Sequence, residues 1–322
     1  MIYCLHMTTR CLTRRTLRGT WATVLLPLAG DDSIDFGRLA DELSVLLGAG
    51  LDGIYTNGTA GEFHALEEEE YDRVTHVVAQ ACTAAGKAFQ LGAGHMSGQT
   101  SLRRIRTAAA CGPAAIQVIL PDWCALSPDE ALWAIDRMIA EADPIPLVLY
   151  NPPHAKTLLT PEQFGRFAAA FPGLIGIKVA GGDAAWFARM RAHAGDLAVF
   201  VAGHHLASAI RQGAAGSYSN VACMSPRGAV TWHRTMLSDP DAAQSLEARL
   251  NRFLERHIGP LQAAGYSNAA LDKTLAEVGG WAPIGTRVRW PYRSVPPEAI
   301  SGLRRTAIEE LPELLPDQAG RG

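Results

Sequence analysis

Residues 173–182 read GLIGIKVAGG. Leu174, Ile175, Ile177 and Val179 form a short apolar run with the length of one buried strand. Glycines close it, and DAAWFARMRAHAG (183–195) follows with the pattern of a helix. Lys178 interrupts the apolar run. A lysine there either reaches solvent at the strand end and pairs with a carboxylate, or is held in a largely apolar place. In the second case loss of hydration lowers its pKa and the free amine becomes available. A free amine in a pocket is a nucleophile for a ketone. The strand pattern alone leaves both fates open.

The same alternation runs along the chain. Apolar runs at 21–27, 52–58, 88–95, 115–121, 146–153, 174–180, 197–203 and 216–220 read as strands. Helical segments follow at 35–50, 61–82, 100–112, 127–142, 160–171, 183–195 and 205–213, and a last one starts at Ser225. Ser127, Pro128 and Glu130 supply an N-cap, an N1 proline and the acidic capping-box position, and Thr160-Pro161-Glu162 repeats that opening. Continuous apolar strands alternating with helices predict a parallel sheet covered by helices. Eight such units predict an α/β fold of the closed (β/α)8 TIM barrel type rather than an open doubly wound sheet. No GxGxxG opens the first helix, which disfavours dinucleotide binding. Helices dominate after residue 238. The expected organisation is a loose N-terminal extension over 1–16, a barrel over 17–238 and a C-terminal helical region over 239–322, with Met7 an alternative start.

Composition narrows the class. The 322 residues are 48% hydrophobic and 19% charged, as in a globular protein with a sizeable core. A net charge of −3 without a basic stripe excludes a polyanion partner, so no nucleic acid is expected. Arginines before residues 21–27 mimic a secretory signal, but the apolar part is short and serves better as the first strand. No run approaches the ~18 apolar residues of a membrane span. Six scattered cysteines without a CxxC pair predict reduced thiols in a cytoplasmic protein. No metal is expected: His204-His205 on an extended segment would point apart, and no third ligand is evident.

In a barrel of this kind chemistry gathers where strands end. Lys178 and Tyr150 end adjacent strands and can converge on one pocket. Gly58-Thr59-Ala60-Gly61-Glu62 is expected to present backbone N–H groups at a helix N-terminus, a cradle for a carboxylate. Together they fit one chemistry. The amine of Lys178 attacks a 2-oxo acid, the turn holds its carboxylate, and Tyr150 moves protons.

Here the sequence resembles the dihydrodipicolinate synthase / N-acetylneuraminate lyase superfamily of Schiff-base class I aldolases. The matching pieces are RGTWATVLLP, GIYTNGTAGEFHAL, YNPP, GIKVAGGD, the Gly203 turn, GAAGSYSNVACMSP and RVRWP, in that order between Arg18 and Arg293. The resemblance implies a barrel with C-terminal helices and a homo-oligomer, dimer or tetramer, that needs no cofactor. It implies Lys178 as the Schiff-base lysine, Tyr150 as general acid/base and Thr59 as the hydroxyl relaying protons to it. Ala60, Gly61, Trp123, His154, Gly203, His204, Tyr218 and Ser219 are the expected substrate contacts.

Departures from the family pattern shape the functional expectation. Ala60 replaces a second hydroxyl residue. Trp123 stands where a tyrosine completes the relay across the dimer interface. Ala155, between His154 and Lys156, stands where an arginine clamps a second carboxylate. The expected activity is therefore a lyase or aldolase joining or splitting pyruvate and an aldehyde, with Trp123 offering a wall to a hydrophobic or aromatic one. The alternatives are a dehydratase of a 2-oxo-3-deoxy sugar acid on the same scaffold and a non-catalytic 2-oxo acid sensor.

Overall fold

The computed structural model describes residues 10–315. Eight parallel strands close on one another in sequence order among these residues. They are β1 (Gly19–Thr23), β2 (Gly53–Thr56), β3 (Phe89–Gly92), β4 (Ala115–Val118), β5 (Leu147–Tyr150), β6 (Leu174–Lys178), β7 (Ala198–Ala202) and β8 (Gly216–Tyr218). The connecting helices are α1 (Phe36–Gly48), α2 (Glu68–Ala84), α3 (Gly98–Ala110), α4 (Pro128–Ala142), α5 (Pro161–Ala170), α6 (Ala184–Ala194) and α7 (Leu206–Arg211). After β8 come α8 (Asn220–Met224), α9 (Pro226–Ser238), α10 (Pro240–Phe253), α11 (Gly259–Ala263), α12 (Asn268–Gly279) and α13 (Ile300–Glu310). This is the (β/α)8 barrel with a C-terminal helical region that the strand–helix alternation predicts.

The caps form as their residue types require. Ser127 and Thr160 cap α4 and α5, each in a reciprocal capping box, with Glu130 and Gln163 at the third helical position and proline at the first turn. The chain buries two apolar layers. An inner one fills the barrel with Leu17, Trp21, Tyr55, Val148, Ile175, Phe200 and Tyr218, among others. The outer one lies between strands and helices and holds Leu174 and Ile177.

One irregularity aims the central lysine. Leu147 pairs with Leu174, but Val148 pairs with Gly176, so Ile175 is an extra residue in β6. Ile175 lies in the inner layer, and strict alternation from it would turn Ile177 inward and Lys178 outward. The bulge resets the alternation. Gly176 faces Leu17, with room for no side chain since a Cβ there would lie 2.7 Å from Leu17 Cδ2. Ile177 joins the outer layer, and Lys178 turns into the mouth of the barrel.

Of the extension expected over 1–16, residues 10–16 lie within the described residues. The Arg14 guanidinium donates to the carbonyls of Leu174, Ala168 and Phe171 and pairs with Asp196 at 2.6 Å, tying the chain to the bottom of the barrel. Met7 lies outside the described residues. The GTAGE stretch is not a helix N-terminus. Asn57 and Glu62 adopt left-handed backbone conformations (φ +55° and +51°), a 3-10 turn spans Phe63–Ala65, and α2 starts only at Glu68. Its start is set by a capping box between Glu67 and Glu70.

Candidate active site

The C-terminal ends of the strands surround a cavity of about 520 Å³. Tyr150 ends β5 and Lys178 ends β6, and the two are paired residues in the parallel ladder. Three tyrosine rings enclose the lysine amine, with Nζ 4.1 Å from the ring centre of Tyr150, 5.0 Å from Tyr55 and 5.4 Å from Tyr218. Nζ also lies 3.4 Å from the Tyr55 hydroxyl. Tyr218 is held from behind by a 2.7 Å hydrogen bond from its hydroxyl to Gln90 Oε1.

Burial pulls the Lys178 pKa down from 10.5 to about 8, against the opposing pull of Asp272 and Cys223. At pH 7 about one molecule in ten then carries the free amine, against roughly one in 3,000 for a lysine in water. The ring faces favour the ammonium form, so the cage moderates the shift rather than causing it. Burial raises the Tyr150 pKa, and a hydrogen bond with Thr59 partly offsets it. The phenol is thus a proton donor at neutral pH.

Thr59 and Ala60 line the cavity, and among the described residues nothing accepts a hydrogen bond from their backbone N–H groups. They remain free to hold an anion, from a turn instead of a helix end. Ser219, Tyr218 and His204 line the same space. Gly203 and Gly61 do not; a Cβ on Gly203 would lie 2.4 Å from Ser219 Oγ, so its bareness lets the ends of β7 and β8 approach. His204 and His205 sit on a 3-10 turn, not an extended segment, with ring centres 4.0 Å apart. Burial first, then His205, pushes the His204 pKa to about 4, against a hydrogen bond to Asn220. It is therefore a neutral hydrogen-bonding group near pH 7. Among the described residues no three His, Cys, Asp or Glu side chains converge to hold a metal.

Two further expected contacts lie outside the lining. Trp123 is 71% exposed and does not line the cavity of its own chain, as befits a position that the resemblance puts at a dimer interface; its carbonyl accepts a 2.7 Å hydrogen bond from Lys156 Nζ. His154 is exposed outside the cavity, where only its neighbour Pro153 contributes.

The sequence reading missed Tyr55, Cys223 and Asp272, all in the cavity wall. Asp272 comes from α12, whose Asn268, Leu271 and Leu275 face the same space at helical spacing. Burial pushes the Asp272 pKa up to about 7, while Lys178 and a hydrogen bond with Cys223 pull it down. A visible signal existed. In AALDKTLA, Asp272 and Lys273 interrupt an otherwise small and apolar helix. The neighbouring Lys273 turns the other way and forms a buried ion pair with Glu62, Nζ to Oε1 2.5 Å. That pair ties α12 to the turn carrying Thr59 and Ala60.

Comparison with known proteins places this geometry. The model of the dihydrodipicolinate synthetase family matches residues 16–307. The 4-hydroxy-tetrahydrodipicolinate synthase of Thermomicrobium roseum is 30% identical over 278 residues, 84% of this chain and 88% of that one. The sialic acid aldolase of Ruminococcus gnavus superposes with a TM-score of 0.82 at 17% identity, covering 93% of this chain and all of that one (100%). An E. coli prophage protein of the dihydrodipicolinic acid synthase family, solved with pyruvate, superposes with a TM-score of 0.79 at 19% identity over 91% of this chain and 98% of that one. With the family match spanning nearly the whole barrel and most of the C-terminal helices, this chain belongs to the dihydrodipicolinate synthetase family.

Proposed function

We propose that this protein is a lysine Schiff-base lyase that makes or breaks the carbon–carbon bond between pyruvate and a neutral, hydroxylated aldehyde. The observation that carries the reading is a desolvated Lys178 in register with Tyr150 at the mouth of the barrel. The free amine adds to the ketone carbon of pyruvate, whose carboxylate lies against the N–H groups of Thr59 and Ala60. Tyr150, supported by Thr59, protonates the carbinolamine oxygen so that water leaves and the iminium forms. The iminium takes up the electron pair when a proton leaves the methyl carbon or when the adjacent carbon–carbon bond breaks.

The wall beyond Lys178 supports the aldehyde class. Asn220, Asn251, Gln262 and Asn268 bring amide groups to it, and no arginine lines it among the described residues. Glu255 and Asp272 add carboxyl groups instead. A second carboxylate would meet no guanidinium there and would be repelled, whereas hydroxyl groups find partners.

The test is peptide mass spectrometry after incubation with pyruvate and borohydride. A reduced adduct on the peptide containing Lys178 is the expected result. No adduct with pyruvate or with longer 2-oxo acids overturns the reading. Tyr150→Phe is expected to slow adduct formation by about 10²–10⁴-fold while leaving the adduct on Lys178; stopped-time trapping measures it, and an unchanged rate removes Tyr150 from the proton path.

A further inference from the structure

We propose that Asp272 is a catalytic acid/base in this reaction, exchanging a proton with the aldehyde oxygen while Tyr150 serves the imine end. The proposal rests on the Schiff-base reading and adds to it a residue from the C-terminal helices. Asp272 stands in the cavity wall on the face of α12 that looks into the barrel mouth. It forms no ion pair within 4 Å of Lys178, yet the two act on each other electrostatically. Both groups line the same cavity of about 520 Å³, so a substrate held at C2 by Lys178 occupies the space that the Asp272 carboxyl group also faces. The position of α12 is fixed from its other side by the Lys273–Glu62 pair, so the carboxyl group has a rigid support.

In condensation, the enamine carbon of the pyruvate adduct bonds to the aldehyde carbon. The carbonyl electron pair moves onto the aldehyde oxygen, which takes the proton of the Asp272 carboxyl group and becomes the 4-hydroxyl. The enamine nitrogen becomes an iminium, and water releases Lys178 and the 4-hydroxy-2-oxo acid. Cleavage runs the same steps backwards, with the Asp272 carboxylate removing the hydroxyl proton as the carbon–carbon bond breaks. Burial keeps this carboxyl group partly protonated near neutral pH, so both directions are served. The other titratable groups around it are Lys178, Tyr150, Tyr55 and Cys223, with Glu255, His204 and His205 farther round the wall.

Two reactions of the full chain separate the roles. Exchange of the pyruvate methyl protons in heavy water needs the iminium and enamine only. Condensation of pyruvate with glycolaldehyde or D-glyceraldehyde needs the aldehyde proton as well. Asp272→Asn is expected to keep proton exchange within about threefold or accelerate it below pH 8, since removing the carboxylate favours the free amine of Lys178. It is expected to lower condensation about 100-fold or more, with partial rescue in Asp272→Glu and loss of the alkaline limb of the condensation pH profile. Its melting temperature is expected to hold or rise, because a buried carboxylate is removed. Parallel loss of both reactions, or loss of neither, overturns the proposal. Wild-type protein that exchanges protons but condenses neither aldehyde overturns it together with the aldehyde class proposed above. Wild-type protein that gives neither exchange nor a borohydride adduct overturns the Schiff-base reading itself.

Discussion

Lys178→Ala leaves no reduced pyruvate adduct and lowers turnover about 10⁴-fold or more. Among the described residues Lys178 is the only lysine lining the cavity, so no second amine stands within reach of the ketone. Methyl proton exchange and borohydride trapping measure the loss, and an adduct that persists on another residue would refute the assignment. Lys178→Arg separates charge from nucleophilicity. A guanidinium keeps the positive charge beside the tyrosine rings but does not deprotonate, so this variant is expected to be as inactive as the alanine one. The pH dependence has a defined sign. The amine is the reactive form, and burial holds the pKa at about 8. The initial trapping rate in wild-type protein therefore rises about tenfold per pH unit through the acid range and levels off near pH 8. A lysine left in solvent would still be climbing at pH 10.

Lys273→Met destabilises the fold by about 3–5 kcal/mol. Lys273 and Glu62 are 0% and 2% exposed at their side chains, so their pair is shielded from solvent. Lys273 Nζ also donates to the Arg287 carbonyl, and Glu62 Oε2 accepts from the Arg289 backbone N–H at 2.8 Å. Without the ammonium, Glu62 keeps a buried charge with a single backbone donor. Burial lowers the Lys273 pKa and Glu62 opposes that shift, which identifies the carboxylate as the partner that keeps it charged. The loss corresponds to roughly 4–7 °C in melting temperature for a chain of this length, read by thermal denaturation. A second change, Glu62→Leu, removes the stranded charge and is expected to recover part of the loss. A single variant as stable as wild type would show that the pair does not clamp the C-terminal helices to the Thr59 turn.

That pair gives a structural meaning to two pieces of sequence that carry the family resemblance. Glu62 closes the GTAGE stretch, and Arg287 and Arg289 belong to RVRWP near the end. The Arg289 guanidinium pairs with Glu70 and donates to the carbonyls of Ala65 and Asp32. These separated segments meet in one polar cluster under α12. No local periodicity reports the contacts of Glu62, Ala65, Glu70 and Asp32 with Lys273 and Arg289, because they join residues more than 200 positions apart.

Much of the fold was legible locally. Eight apolar runs, each followed by a helical pattern, specify a parallel sheet because such strands are buried on both faces and must be joined by crossovers. Ser127 and Thr160 marked their helix starts because capping depends only on neighbouring residues. The adjacency of Tyr150 and Lys178 followed from strand order, since consecutive strands of a barrel pair. The direction of Lys178 did not follow. It depends on the bulge at Ile175, which exists through pairing with β5 and reverses the inside–outside alternation of β6. The left-handed residues Asn57 and Glu62 likewise moved the helix start from the expected residue 61 to Glu68.

The barrel, the order of its strands and the pair of residues at its mouth rest on local periodicity, caps and strand succession, all of them written in the amino-acid sequence. Which way the lysine points, how far burial lowers its pKa and which distant groups stand opposite it come only from the packing of the folded chain. Desolvation and Coulomb coupling depend on what surrounds a group in space. For Lys178 those surroundings come from Tyr55 on β2, Cys223 on α8 and Asp272 on α12.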